Sequence, residues 1–171
     1  MFDTLGRRSS FAYRLIFANL WLFGGLLNKI CKKSGGELNA LMRTTVAFTQ
    51  MSGSKGMNVL PPRAEMIANL RIMCGESVDS AKSYMEKVIA DDSVKVEVVY
   101  GMDPSNVSET RGEAWEMMKR AISQTWQGAL VSPYLMLACS DSRHYGEISD
   151  HVYRFSAMAL SKEERASIHG N

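Results

Sequence analysis

Two arginines and a few polar residues are the side chains of this sequence best placed to do chemistry. Asn69 and Arg71 alternate with apolar residues along a predicted strand, and Asn58 comes shortly before the rigid pair Pro61-Pro62. A guanidinium on the open face of a strand can hold a carboxylate through two parallel hydrogen bonds. A solvent-facing arginine without a ligand has the same spacing, so the pattern alone leaves both interpretations open.

A second polar group, Ser140-Asp141-Ser142-Arg143, directly follows a long apolar run. If that run is a strand of an α/β domain, the group lies at its carboxyl end, where such domains bind ligands. A structural pair of Asp141 with Arg143 in a loop explains the same residues equally well. The sequence has no nucleophile elbow, no glycine loop for phosphate and no His-Glu-x-x-His motif. These residues taken alone therefore leave the function undecided.

The elements that position the first arginine are predicted within residues 44–100. The β-branched and aromatic run 44–51 predicts one strand, and the alternation over 64–73 predicts a second. Ser77 can cap a helix whose apolar residues follow helical spacing. The alternating valines of 94–98 predict a further strand. This β-β-α-β order predicts an antiparallel sheet with helix cover on one face.

The rest of the chain, from residue 104, is predicted to alternate helices and strands. The continuous apolar run 129–138 is typical of a strand covered on both faces, and 152–160 predicts another strand. Capping-box spacing predicts the starts of two helices. The two pairs of capping residues are Thr110 with Glu113 and Ser161 with Glu164.

The segment 10–33 is predicted to form a helix interrupted near Gly24-Gly25. Its apolar run 15–27 has basic residues on both sides and spans about 13 residues, whereas a membrane-spanning helix needs about 20. A signal peptide fits poorly, because the run follows FDTLGRRSS and no small-residue cleavage site comes after it. A buried or surface-lying helix is the favoured interpretation, and membrane contact through residues 11–31 is the alternative.

The composition is that of an ordinary globular protein. Of the 171 residues 46% are hydrophobic and 22% charged, and the formal net charge of +2 gives no reason to expect a nucleic-acid partner. The three cysteines are odd in number and widely spaced, so they match neither a disulfide framework nor a clustered zinc motif. They suit a reducing compartment, which favours a cytoplasmic location.

The order of several short motifs resembles one family of enzymes. The stretch NALMRTTVAFTQMSGSKGMNVLPPRAEMIANLRIMCGESVDSAKSYME is similar to the lid domain of the dinuclear-zinc exopeptidases, the aminoacylase and Gly-X carboxypeptidase family. PYLMLACSDSRHY, SDHVYRFSAMAL and IHGN resemble the closing stretch of that family's catalytic domain, and RLIFANLWLFGGLLNKI resembles a helical insertion. The resemblance implies a helical insertion and linker at 1–43, a partial lid or dimerisation domain at 44–103, and the C-terminal part of an α/β catalytic domain at 104–171. The expected class is thus α+β for the lid, followed by a partial α/β domain.

The resemblance also implies an activity and roles for seven residues. The family hydrolyses an amide bond next to a free carboxylate, in N-acyl amino acids or small peptides, with two zinc ions bridged by water. Its lid asparagine and arginine, which hold the substrate, correspond to Asn58 in NVLPP and Arg71 in NLR. Its Thr-Asp-Ser-Arg segment at the floor of the substrate pocket corresponds to Ser140, Asp141, Ser142 and Arg143, with serine in place of threonine. Its last metal-binding histidine corresponds to His169 in IHGN.

The departures from the family pattern restrict what the chain is expected to do alone. The other zinc ligands, the glutamate that acts as general base and the first lid strand have no counterpart in this sequence. One histidine binds zinc poorly. The chain is therefore expected to be the C-terminal fragment of a hydrolase, with an upstream fragment as a possible partner, and to carry no catalytic residue. When expressed alone it is expected either to aggregate or to depend on a partner. A catalytically inactive oligomerisation or carboxylate-binding module, forming a homodimer through the lid, is the alternative.

Overall fold

Helices precede and follow a two-stranded sheet in the computed structural model, which describes residues 1–161, 163, 164 and 167. The helices of the N-terminal part form a connected group, because α1 contacts α2, α2 contacts α3 and α3 contacts α4. The elements are α1 (Phe2–Arg7), α2 (Phe11–Ala18), α3 (Leu20–Ser34), α4 (Gly36–Ala40), β1 (Thr45–Ser52), β2 (Glu65–Arg71), α5 (Val78–Ile89), α6 (Glu113–Thr125) and a 3₁₀ helix (Asp141–Glu147).

The sheet consists of β1 and β2, which pair antiparallel, as the alternation of their side chains predicts. The register runs from Thr45 opposite Arg71 to Ser52 opposite Glu65, with an irregularity at Thr49. Because successive side chains of a strand point to opposite faces, one face is mainly apolar and the other carries the polar residues. The apolar face is formed by Val46, Phe48, Met51, Met66, Ala68 and Leu70. The predicted α+β class with an antiparallel sheet is confirmed.

Helix α5 begins where its capping residue predicts. The Ser77 hydroxyl accepts a hydrogen bond from the Ser80 backbone N–H at 3.1 Å, and the Ser80 hydroxyl accepts one from the Ser77 N–H at 2.9 Å. Two N–H groups that lack partners inside the helix are thereby satisfied. The helix ends at Ala90, whose φ of 49° is left-handed. A non-glycine residue in this conformation is strained, and the helix stops there.

Three predicted strands are wrong for this structure, because residues 94–98, 129–138 and 152–160 form no strand. The alternating and continuous apolar patterns identify residues that favour burial, but a strand also needs a neighbour to pair with along its length. Within the described residues only β1 and β2 supply such neighbours to one another. The three segments are therefore irregular.

The helical predictions need two corrections. The break in the segment 10–33 is at Asn19 instead of Gly24-Gly25, because the Asn19 side chain donates to the Leu15 carbonyl at 2.8 Å and its backbone leaves helical values. Helix α6 begins after Gly112 without a side-chain cap, so the Thr110 capping box is wrong. The second capping box is confirmed. Ser161 N–H donates to the Glu164 carboxylate at 2.7 Å, and Glu164 N–H donates to the Ser161 hydroxyl at 3.2 Å.

The apolar face of the sheet borders a wide groove instead of a closed core. Phe48 is 60% exposed and Met51 is 81% exposed, and the described residues bury few large side chains, Trp115 among them. The groove has a volume of about 2250 Å³ and is lined by the sheet, α5, α6 and residues 129–138. Small-ligand pockets measure roughly 300–1,000 Å³, so the groove is an uncovered apolar surface and not one such pocket. Among the described residues, no helix combines the length and the apolar character needed to cross a membrane.

Candidate functional site

Arg71 is the last residue of β2 and lies opposite Thr45. Its side chain is exposed, and its Nη1 donates a hydrogen bond to the backbone carbonyl of Leu137 at 2.8 Å. Leu137 comes three residues before Ser140 in the sequence. The hairpin and the polar segment 140–143, which are far apart in the chain, are therefore neighbours in space.

The segment that begins at Ser140 is held by a local cap. The Ser140 hydroxyl accepts hydrogen bonds from the Ser142 backbone N–H at 3.3 Å and from the Ser142 hydroxyl at 3.0 Å. Serine at this position satisfies an N–H group at the start of the 3₁₀ helix. Asp141 follows in the first turn and is exposed. The cap fixes the turn from which Arg143 extends.

Arg143 connects this turn to the beginning of α5. Its Nη2 donates to the backbone carbonyl of Asp103 at 2.6 Å, and the Asp103 carboxylate accepts a hydrogen bond from the Val78 N–H at 2.8 Å. A carboxylate is stabilised at a helix N-terminus by the unpaired N–H groups and the helix dipole. Asp103 thereby ties a half-buried arginine to the helix that follows the sheet.

Arg154 is a further arginine, bonded to Ser142 of the polar segment, and sequence reasoning missed it. Its Nη2 donates to the Ser105 hydroxyl at 2.9 Å, and its Nε donates to the Ser142 hydroxyl. The residue stands in the apolar run 152–160, which predicted a strand. A single cation within such a run was the available signal, because an arginine there needs polar partners. Ser142 is thus held between the cap at Ser140 and the Arg154 guanidinium.

The structure brings some of the predicted site residues together and leaves others apart. Arg71, at the end of the sheet, lines the same groove as Ser140, Arg143 and Arg154. Asn58 lies in the exposed loop between β1 and β2 and does not line the groove. Asp141 is likewise outside the lining. The groove lining thus contains four guanidinium groups, of which that of Arg63 is paired with Glu65. The other three donate to uncharged oxygen atoms, which suits recognition of an anionic group such as a carboxylate.

The described residues do not fit a dinuclear zinc site. Within that part of the chain, no group of three or more His, Cys, Asp and Glu side chains is arranged to hold a metal ion. His169, the predicted metal ligand, lies outside the described residues. His151 is described, and its Nδ1 lies 3.2 Å from the Tyr153 hydroxyl. No catalytic step through a metal follows from these side chains.

Tyr153 anchors the last part of the described chain to α6. Its hydroxyl donates to the Glu109 backbone carbonyl at 2.7 Å, and its ring lies 5.4 Å from that of Trp115 between centroids. Partial burial raises the pKa of the Tyr153 phenol, and the negative charge of Glu109 raises it further. The contact holds the segment that carries Arg154 against α6 and thereby positions this arginine.

Sequence comparison relates the chain to peptidases and amide hydrolases. The profile of the peptidase dimerisation domain matches residues 18–97. A probable carboxypeptidase S-like protein of Dictyostelium discoideum is 32% identical, and the match covers 99% of this chain and 33% of that protein. N-fatty-acyl-amino acid synthase/hydrolases of Danio rerio and Xenopus tropicalis are 31% and 33% identical, again over 99% of this chain and 33% of each relative.

The matches show which proteins the chain is related to, but they cover only part of each relative. The chain spans about a third of the length of the curated relatives it matches (33%). No solved structure matches it significantly. The resemblance to an exopeptidase family with a dimerisation lid is confirmed. Residues 18–97 of this chain match the peptidase dimerisation domain family, and nearly the whole chain is similar in sequence to about a third of carboxypeptidase S-like and N-fatty-acyl-amino acid synthase/hydrolase proteins (33%).

Proposed function

We propose that this chain is the substrate-binding portion of a zinc-dependent amide hydrolase whose substrates are N-acyl amino acids or small peptides with a free carboxylate. The observation that carries the proposal is the match of 99% of the chain to one third (33%) of a probable carboxypeptidase S-like protein and of an N-fatty-acyl-amino acid synthase/hydrolase. The placement of Arg71 beside the segment 140–143 supports it, because both correspond to substrate-binding motifs of the family. The catalytic step belongs to residues of a larger assembly.

The chemistry of the substrate explains why arginines are needed. A carboxypeptidase and a hydrolase of acylated amino acids both cleave an amide next to a carboxylate, so one anionic group is common to all substrates. Arg71 and Arg143 are the guanidinium groups that we assign to it, with Ser140 in the lining of the same groove. We assign Asn58 and Asp141, which lie outside that lining, to the substrate site of the assembled hydrolase. Bidentate hydrogen bonds from arginine give such a group both affinity and orientation.

In this proposal, zinc is bound by residues that the described part of the chain does not contain. His169 is the residue that we expect to contribute to the metal site of the assembled hydrolase. A single neutral imidazole is a weak zinc site, and the remaining ligands must come from the upstream portion of the hydrolase.

The proposal is tested by complementation. The purified chain is mixed with a polypeptide encoded upstream of it, and hydrolysis of N-acyl amino acids and bound zinc are measured for each part and for the mixture. We expect activity and zinc only in the mixture, and we expect Arg71→Ala to abolish most of the activity while Arg63→Ala retains it. A mixture that is no more active than the upstream polypeptide alone would overturn the proposal.

A lid-type oligomerisation module is the second candidate function. The dimerisation-domain match and the exposed apolar face of the sheet favour it. Within the described residues, β1 and β2 each have one edge without a strand neighbour, and such edges pair readily with other chains. Light scattering after size exclusion tests it. A metal-free homodimer supports this function, and a stable monomer contradicts it.

A further inference from the structure

Residues 4–36, which contain α2 and α3, differ in charge from the rest of the chain, and Asp3 of α1 and Glu37 of α4 lie just outside this range. Residues 4–36 contain six of the 20 lysines and arginines and none of the 18 aspartates and glutamates. The remaining residues thus hold 14 basic and 18 acidic side chains, a formal charge of −4 against +6 for this segment. A segment that carries only positive charges is typical of a surface that binds an anionic partner.

The same helices expose large apolar side chains. Phe11 of α2 is 80% exposed and Trp21 of α3 is 84% exposed. Leu22, Leu26 and Ile30 follow one another four residues apart along α3, and each is more than half exposed. Residues at this spacing lie on one side of a helix, so they form a continuous apolar stripe.

The basic residues of α3 lie at its C-terminal end and are available to a partner. Lys29, Lys32 and Lys33 are all exposed, and within the described part of the chain none of them forms an ion pair. The opposite side of α3 is occupied, because Cys31 is buried and α3 contacts α4. The apolar stripe and the lysines therefore lie on the solvent-facing side of α3, whose other side packs against the protein.

We propose that the outward side of α2 and α3 binds the surface of a membrane that contains anionic lipids. The 15 residues of α3 extend about 22 Å, which is shorter than a hydrocarbon core of about 30 Å, so the helix lies in the interface instead of crossing it. Tryptophan and leucine enter the boundary between head groups and acyl chains, while lysine stems keep their ammonium groups among the head groups. Protein interfaces are depleted of charge at their centre, and lysines around Ile30 therefore favour lipid over a protein partner.

Vesicle flotation of the full 171-residue chain tests the proposal. We expect the chain to float with vesicles containing phosphatidylserine and to bind pure phosphatidylcholine vesicles far less. Each lysine near an anionic surface strengthens partitioning roughly fivefold, so Lys29→Gln/Lys32→Gln/Lys33→Gln should weaken it roughly 100-fold. Leu22→Gln/Leu26→Gln should abolish flotation, and salt at 1 M should reduce it because exposed charges are screened.

Matched variants separate a specific surface from a general loss of folding or charge. Lys55→Gln/Lys82→Gln/Lys87→Gln removes three lysines elsewhere, and it should float like the parent chain. Leu60→Gln/Val99→Gln removes two exposed apolar groups elsewhere, with the same expectation. Circular dichroism of every variant confirms that the helices remain. Equal loss in the control variants, absence of flotation with anionic vesicles, or stripe variants that lose only self-association in light scattering would each overturn the proposal.

Discussion

The guanidinium of Arg71 donates a hydrogen bond to the carbonyl oxygen of Leu137, 2.8 Å away, across 66 positions of the sequence. This bond joins the end of β2 to the segment that leads into Ser140. The acceptor is a single neutral oxygen, whereas a carboxylate carries the opposite charge and can accept two parallel hydrogen bonds from the guanidinium. Under the proposed function, a substrate carboxylate would replace Leu137 as the acceptor, and the bond to Leu137 positions the arginine in its absence.

Replacement of Arg71 should weaken the binding of carboxylate ligands. A hydrogen bond to a charged group contributes about 1.5–3 kcal/mol. Because Arg71 is exposed, we expect Arg71→Ala to be at the lower end, with affinity reduced about tenfold. Arg71→Lys keeps the charge but loses the planar pair of donors, so its affinity should be intermediate. Calorimetry with an N-acyl amino acid measures the effect.

The control for this measurement is Arg63→Ala. Arg63 is another exposed arginine, paired with Glu65 at 2.8 Å at the beginning of β2. It should retain the affinity of the parent chain. Equal losses in both variants would show that positive charge in general, and not the position of Arg71, determines binding.

The left-handed residue that ends α5 provides a test of local stability. Ala90 has a φ of 49° and an exposed side chain. A non-glycine residue in this conformation costs about 1–2 kcal/mol, and glycine is the residue preferred there, so Ala90→Gly should stabilise the chain by about 1 kcal/mol. Ala121→Gly, in the middle of α6, should instead destabilise it by about 1 kcal/mol. Urea unfolding followed by circular dichroism measures both, and a loss of stability in Ala90→Gly would contradict the prediction.

Alkaline pH should weaken the contact between Tyr153 and α6. The pKa of the Tyr153 phenol is raised in the folded state, mainly because burial disfavours the phenolate and also because Glu109 is negative. Its contribution to stability is therefore complete below pH 10, the unperturbed pKa of tyrosine, and is lost as the pH rises through the folded value. We expect stability to fall above about pH 10 and the fall to be smaller in Tyr153→Phe. Tyr84→Phe, an exposed position on α5, should behave like the parent chain.

Local signals predicted the elements that the structure confirms. Strands β1 and β2 alternate apolar and polar residues and adjoin one another in sequence, so their pairing needs only the connecting loop. Helix α5 has its capping serine, Ser77, directly before it. Strand pairing depended instead on distant neighbours for the predicted strands 94–98, 129–138 and 152–160. A side-chain pattern does not show whether another strand is available to pair with. Their failure reflects this non-local requirement.

The residues of the candidate site also divide into those predicted from local patterns and those that depend on distant contacts. Arg71 and the segment 140–143 were found from a strand pattern and a polar cluster, which are local features. The bond of Arg143 to the Asp103 carbonyl and the bonds of Arg154 to Ser105 and Ser142 involve irregular segments. No periodicity describes such segments, so their contacts become visible only in three dimensions.

Removal of metal should not change the stability of the isolated chain. Within the described residues no cluster of potential ligands is present, and His169 by itself is a weak site. We expect the thermal unfolding midpoint in EDTA and in zinc to agree within about 3 °C, a shift of roughly 1 kcal/mol for a chain of this size. A larger increase in zinc that disappears in His169→Ala would show that the chain already holds a stabilising metal site.

A lysine on the apolar face of the sheet should prevent self-association. Phe48 lies on that face, opposite Ala68 in the register, and is 60% exposed. If a second copy covers the face, Phe48→Lys buries a charge without a partner, which is costly, and the dimer dissociation constant should rise at least about tenfold. Ala47→Lys adds the same charge at the adjacent position, whose side chain points to the polar face. Sedimentation equilibrium of both variants separates the two faces, and equal weakening by both would place the contact at the strand edge instead of the apolar face.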